Sequence, residues 1–436
     1  MKKLMAATIF ASSILTMSCG LDDMAGYIKD QIPEEDYLVE ISLEQVTLTS
    51  QDVPEVDIAD QKKWAQQVNR LGAQLIAQNY KANENIVFSP AALHSAMSMA
   101  AYGAEGTTYK EIAETLTFED ERDKASRLSA AMQLRLRYDG QNKNSHFVMA
   151  NNLWFDSNIE LSERFKKDME SKFRAPVQIC NFLEYTFEVL DAIYDWMKEL
   201  THGWMNPVWN DLEDPQFVLV NATSFQGKWE FPFDSRKTEQ KIFNGSTQNT
   251  LIEFMHLVYD FKYYENAEEG YQAVVIPYMD GVFDMVFVLP HDLASAQNVL
   301  QGINADDLGT ILVEAADTQL VELSLPKFNI SYDIVPEDLV SRLKNIGIQE
   351  AFVEGFANFD ILSPSYSVFI DGILHQAVIK ISEGGTNVDA ESSITPDKVD
   401  ESKTIVPFHV DHAFAFALVH RATGAVVYLG LMNDLG

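Results

Sequence analysis

His409 and His412 stand three apart in the segment HVDH, a spacing that brings two imidazoles to one metal only on a helix or a tight turn. The flanking runs IVPFHV and FAFALVH have strand character, so both are expected as loop or core histidines, with no metal site. His375 lies within GILHQAVIKIS, where alternation sets it on one buried face with Ala377, Ile379 and Ile381. A histidine there is expected as a hydrogen-bonded core residue, not a general base. The chain has no G-x-S-x-G, no G-x-x-x-x-G-K-[ST] and no H-E-x-x-H. With 65 acids, no carboxylate pair stands out as a glycosidase-type dyad. Cys180, in VQICNF, reads as a small buried hydrophobe. These residues point away from an enzyme and call for no cofactor.

The most unusual segment is EGGTNVDAESSITPDKVDESKT, Glu383 to Thr404. It lies between strand-like runs and exceeds the roughly 12–15 residues beyond which an unstructured connection is functional or disordered. Its period is two: Thr386, Val388, Ala390, Ser392 and Ile394 are small or apolar, and Asn387, Asp389, Glu391, Ser393 and Thr395 are polar. That is the pattern of a strand with one buried and one wet face. Two leading glycines and a charged, proline-broken end suit a loop. The segment is loop-like in one context and strand-competent in another.

The elements around it must hold both states. The chain has 436 residues, 47% of them hydrophobic, enough for a large core. A formal net charge of −33 repels phosphate backbones and excludes a nucleic-acid partner. Lys2, Lys3 and the apolar run Leu4 to Leu15 fit a signal peptide over 1–18 better than a span, which needs about 20 apolar residues. Residues 19–60 read as an acidic tether, and the folded part starts near Gln61. Helical periodicity runs through Trp64, Val68, Leu71, Leu75 and Ile76, and SPAALHSAMSMAAYG has Ser89 as N-cap, Pro90 in the first turn and Gly103 as a stop. Further helices are expected over 109–116, 124–136, 161–173, 185–200, 292–301, 306–314 and 336–345. Strands are expected over 146–155, 216–225, 238–243, 251–265, 271–277, 282–289 and 318–330. Helices and strands interleave without β-α-β alternation, so the class is α+β. No linker divides 61–436, and one large domain is expected.

Six motifs in order carry a family resemblance over about residues 61–434. NENIVFSPAALHSAMSMAAYGAEGTTYKEI, NNLWF, FVLVNATSFQGKWEFPF, LSLPKFNIS, HQAVIKISEGGT and IVPFHVDHAFAFALVHRATGAVVYLGLM together resemble a serpin. The resemblance implies one domain of three mostly antiparallel β-sheets and about nine helices, with an exposed reactive loop. It implies a suicide substrate: a protease cuts the loop, which enters the main sheet as a new strand and traps the acyl-enzyme. Glu383, Gly384, Gly385 and Thr386 match the hinge, with Val388 and Ala390 following on the inward parity. Ser89, Asn221 and His375 match the polar cluster beneath the opening sheet, and Trp229 the tryptophan where insertion begins. Ala92 stands where the family often has another serine. Counting from Glu383 places the reactive bond between Val399 and Asp400, which suits an elastase-like protease; Lys398–Val399 is the alternative and suits a trypsin-like one. Papain-like cysteine proteases also form acyl-enzymes and are included as partners. The alternative function is a non-inhibitory serpin acting as a surface binding protein. The first twenty residues resemble a bacterial lipoprotein signal with Cys19 as the lipidated residue, implying a chain anchored outside the cytoplasm, on the outer membrane or cell surface, through lipid alone, or else secreted; a monomer is expected.

Overall fold

The computed structural model describes residues 38–40, 48–118, 121–201, 203, 212, 215–303, 308, 311, 318–334, 336–388 and 402–435. Asp57 caps α1, Ile58–Asn79, by accepting the Asp60 N–H, and the five periodic residues from Trp64 to Ile76 are all buried. The helix therefore starts three residues before the expected boundary. Ser89 caps α2, Pro90–Gly103, accepting the Ala92 N–H at 3.2 Å. Every residue of α2 is buried, as an all-round apolar helix requires. Then come α3, Gly106–Thr115, and α4, Arg122–Asp139. The helix expected over 161–173 divides into α5, Glu163–Asp168, and a π-helical turn, Met169–Phe173. The remaining helices are α6, Phe182–Leu200, α7, Leu293–Gly302, and α8, Pro336–Asn345. Most of the helix expected over 306–314 lies outside the described residues, which hold eight α-helices where about nine were expected.

Two sheets gather the strands. The seven-stranded sheet comprises β1, Leu38–Glu40; β3, Ser145–Asp156; β4, Val177–Cys180; β5, Phe217–Lys228; β11, Phe328–Ile334; β12, Gly372–Ile381; and β13, Gly385–Thr386. Its order is β1-β4-β3-β5-β13-β12-β11. β1 pairs antiparallel with β4 although its residues fall within the expected tether. β5 is buried on both faces, as its apolar run implies. Val218, Val220 and Ala222 pack under α6, while Leu219 and Phe225 face the interior.

The nine-stranded sheet contains β2, Ile86–Phe88; β6, Glu239–Asn244; β7, Asn249–Asn266; β8, Tyr271–Pro277; β9, Phe283–Pro290; β10, Thr318–Pro326; β14, Ile405–His409; β15, Phe414–His420; and β16, Ala425–Met432. The expected third sheet is continuous with this one. The 18-residue β7, free of proline and glycine, pairs β6 at its start, β10 in its middle and β8 at its end. The strand expected over 318–330 is two strands in different sheets: the ladder breaks at Pro326 and Lys327, and β11 crosses to the first sheet.

Candidate functional site

The site is a fork between β5 and β12. The two strands pair directly and in parallel from Val218 opposite Gly372 to Thr223 opposite Ala377. Beyond that they diverge. The chain leaves β12, turns through Ser382–Gly384 and returns as β13 between them, antiparallel to both: Gly385 faces Lys228, and Thr386 faces Gly227 on one side and Ile381 on the other.

Local chemistry dictates this turn. Gly385 has φ +154, and a Cβ there would meet the Gly227 carbonyl oxygen at 2.0 Å, so no other residue fits. Of the two glycines, Gly385 is the one the turn requires. Trp229 anchors the turn: its N–H donates to Gly384 O and its indole N–H to Ser382 O, both at 3.0 Å, while its ring stacks on Tyr278 at 4.5 Å. The Tyr278 hydroxyl meets Thr386 Oγ1 at 2.5 Å, so Thr386 points to the core face, as its parity implied. Glu383 is buried, bound by Thr238 Oγ1 at 2.8 Å and Lys327 Nζ at 3.3 Å. Burial pushes its carboxyl up, but its own backbone N–H, Thr238 and Lys327 outweigh this and hold it below its ordinary value.

A polar network lies beneath the paired part of the fork. His375 and Asn221 are register partners, and the imidazole Nδ1–H donates to Asn221 Oδ1 at 2.9 Å. Nε2 accepts the Ser89 N–H at 3.1 Å, which fixes the neutral tautomer. Burial lowers this histidine's pKa to about 3. Asn221 Nδ2 donates to Asn151 Oδ1 at 2.6 Å, and Asn151 Nδ2 reaches Ser95 at 3.2 Å and Gln133 at 3.1 Å. Ser89, through its backbone N–H, and Asn221 both hydrogen-bond His375, while Trp229 belongs to the turn at the fork's mouth. Ala92 leaves the Ser89 hydroxyl as a simple helix cap. Sequence reasoning missed Asn151, Ser95 and Gln133; the pair Asn151–Asn152 within an apolar strand was the available signal. His409 lies on β14 beside Glu322 at 3.4 Å and His412 packs against Pro290 O, and among the described residues no cluster suits a metal.

At the far end of the loop, Lys403 Nζ pairs with both oxygens of Asp260 at 2.7 and 2.8 Å, just before β14. Val388, half-buried, is the last described residue before the loop, and Ser402 the first after it. Ala390, Lys398, Val399, Asp400 and Cys19 lie outside the described residues.

The family model described as "Serpin (serine protease inhibitor)" matches residues 66–435. The chain belongs to the serpin family. Among curated proteins it is 26% identical over 375 residues to "Intracellular coagulation inhibitor 2" of Tachypleus tridentatus, covering 84% of this chain and 90% of that one. It is 27% identical over 357 residues to "Serine protease inhibitor" of Cyanea capillata, covering 80% and 92%. Among solved structures, the native state of tengpin, a thermophilic serpin, superposes with a TM-score of 0.79 at 22% identity, covering 88% of this chain and 96% of that one. In this serpin, the fork, the turn and the network occupy one continuous path through the seven-stranded sheet.

Proposed function

We propose that this serpin is a single-use inhibitor of extracellular serine proteases, extending to papain-like cysteine proteases, that traps the acyl-enzyme by drawing its cut loop into the fork. The observation that supports this most is Thr386, which already holds a place in the sheet, antiparallel to both neighbours. Continuing its register sets Val388 between Phe225 and Ile379, Ala390 between Thr223 and Ala377, Ser392 between Asn221 and His375, and Ile394 between Leu219 and Ile373. Each inward residue meets its own kind, and the Ser392 hydroxyl falls where the separating strands break the His375–Asn221 bond. Gly372 starts β12 opposite Thr395, so the paired stretch is Thr386–Thr395, with Pro396 beyond it, where a missing N–H costs no ladder bond.

Insertion replaces one parallel ladder with two antiparallel ones. Each net hydrogen bond gained contributes about 1 kcal/mol, and burial of Val388, Ala390 and Ile394 adds a few kcal/mol. A protease acylated at Val399 is carried roughly 40 Å, at about 3.3 Å for each extended residue from Asn387 to Val399. The N-terminal lipid attachment at Cys19 sets this activity at a bacterial surface; labelled fatty acid incorporated into the chain, and lost in Cys19→Ala, tests that part.

Incubation with an elastase-like and a trypsin-like protease, followed by a denaturing gel, tests the inhibition. A covalent band one protease heavier is expected, and mass spectrometry of the released C-terminal fragment distinguishes Val399–Asp400 from Lys398–Val399. Val388→Asp, which forces a charge between Phe225 and Ile379, is expected to be cut without forming the band. Cleavage of the wild-type chain with no such band would favour the non-inhibitory reading.

A further inference from the structure

Asn387 was expected to carry its side chain to the wet face of an inserted strand. In this uncleaved state it is 2% exposed and sits in the crotch of the fork. Between the last β5–β12 pair and β13, the backbone groups of Phe225, Val378 and Lys380 would otherwise open into the gap. Asn387 meets all of them. Its Nδ2 donates to Phe225 O at 2.8 Å and Val378 O at 3.3 Å, its Oδ1 accepts the Lys380 N–H at 2.9 Å, and its own N–H donates to Lys380 O at 2.8 Å. One carboxamide does there what a further strand's peptide group would do. The backbone at Asn387 has φ +51, left-handed, and asparagine tolerates this better than most residues. The chain turns out of the sheet at that point, and Ser382 Oγ holds the outgoing Val388 carbonyl at 2.8 Å.

Thr386 points to the core, so in an extended inserted strand residue 387 points to the opposite face. All three side-chain bonds break before Val388 can enter. We propose that Asn387 is a positioning residue for loop insertion, an amide clasp that stops the loop after two residues, so that its release is the commitment step. The clasp rests on the proposed insertion of the cut loop.

The test uses the full uncleaved chain and a synthetic peptide of residues 386–395, whose uptake into the fork is followed on native gels without any protease. Asn387→Gly keeps the backbone freedom and removes the amide. Asn387→Asp keeps the shape but turns oxygen toward the carbonyls of Phe225 and Val378. Both variants are expected to take up the peptide about tenfold faster than the wild-type chain, the factor that one or two lost hydrogen bonds supply. Their loop-cleaved forms are expected to melt with the cleaved wild-type chain, because the clasp is absent there; a merely structural role would lower both forms. Wild-type uptake with unchanged or slower rates in both variants overturns the clasp alone. A wild-type chain that never takes up the peptide overturns the insertion reading and the clasp together. Variants that fail to fold show the amide to be structural and also overturn the clasp.

Discussion

His375 and His94 are wholly buried, and burial lowers both pKa values to about 3. An unfolded histidine titrates near 6.5. Between those values the unfolded chain binds protons that the folded chain refuses, so stability is intact above about pH 6.5 and falls as pH drops toward 3. At pH 5 each histidine costs roughly 2 kcal/mol. Asp371 acts in the opposite sense. Burial raises its pKa to about 6 against backbone N–H donors, so at pH 5 the folded chain holds a proton that the unfolded chain lacks, returning about 1 kcal/mol. Urea unfolding at pH 7 and pH 5 is expected to show a net loss of about 3 kcal/mol, about two-thirds of it absent in His375→Gln. An unchanged pH dependence in that variant would contradict a His375 held neutral in the folded chain. The identity of His375 as a core residue was legible from alternation alone. The network beyond its partner Asn221 was not, because Ser95, Asn151 and Gln133 come from three elements whose approach no local pattern encodes.

At the scale of elements, the fork is closed at both ends by side chains that imitate backbone. Asn387 closes the crotch, just beyond the last β5–β12 pair. At the base, Asp371 Oδ2 accepts the N–H groups of Gln216 at 2.9 Å and Phe217 at 2.8 Å, ahead of the first β5–β12 pair. Asp371→Ala leaves two edge donors unpaired and is expected to destabilise the intact chain by about 1–3 kcal/mol in urea unfolding; a loss below about 0.5 kcal/mol would show that water replaces the carboxylate freely. The α2 cap and the β5 strand were readable because Ser89 and the run around Val220 carry strong local signals. The sheet change at Pro326 and the left-handed turn at Asn387 were not readable: each depends on where the chain goes next. The single unbroken β7 that fuses two expected sheets was hidden for the same reason, since pairing partners change along it without any change in its composition.

For the whole molecule, α6 lies across the seven-stranded sheet, with Val189, Ile193 and Trp196 packed in one apolar cluster with Val218, Val220, Leu374 and Val378. On the proposed insertion, a strand entering the fork passes beneath this helix, and moving the helix is the kinetic barrier that the proposal requires. Among the described residues the apolar interior supplies stability without a disulfide, Cys180 being buried and free. The central claim is that the intact chain stores the energy of an unmade strand. Comparing the melting temperatures of the intact chain and the chain cut once within 389–401 tests it most directly. About ten net hydrogen bonds in a fold of this size predict that the cut chain melts at least about 10 °C higher. A cut chain that melts at or below the intact one would contradict the account.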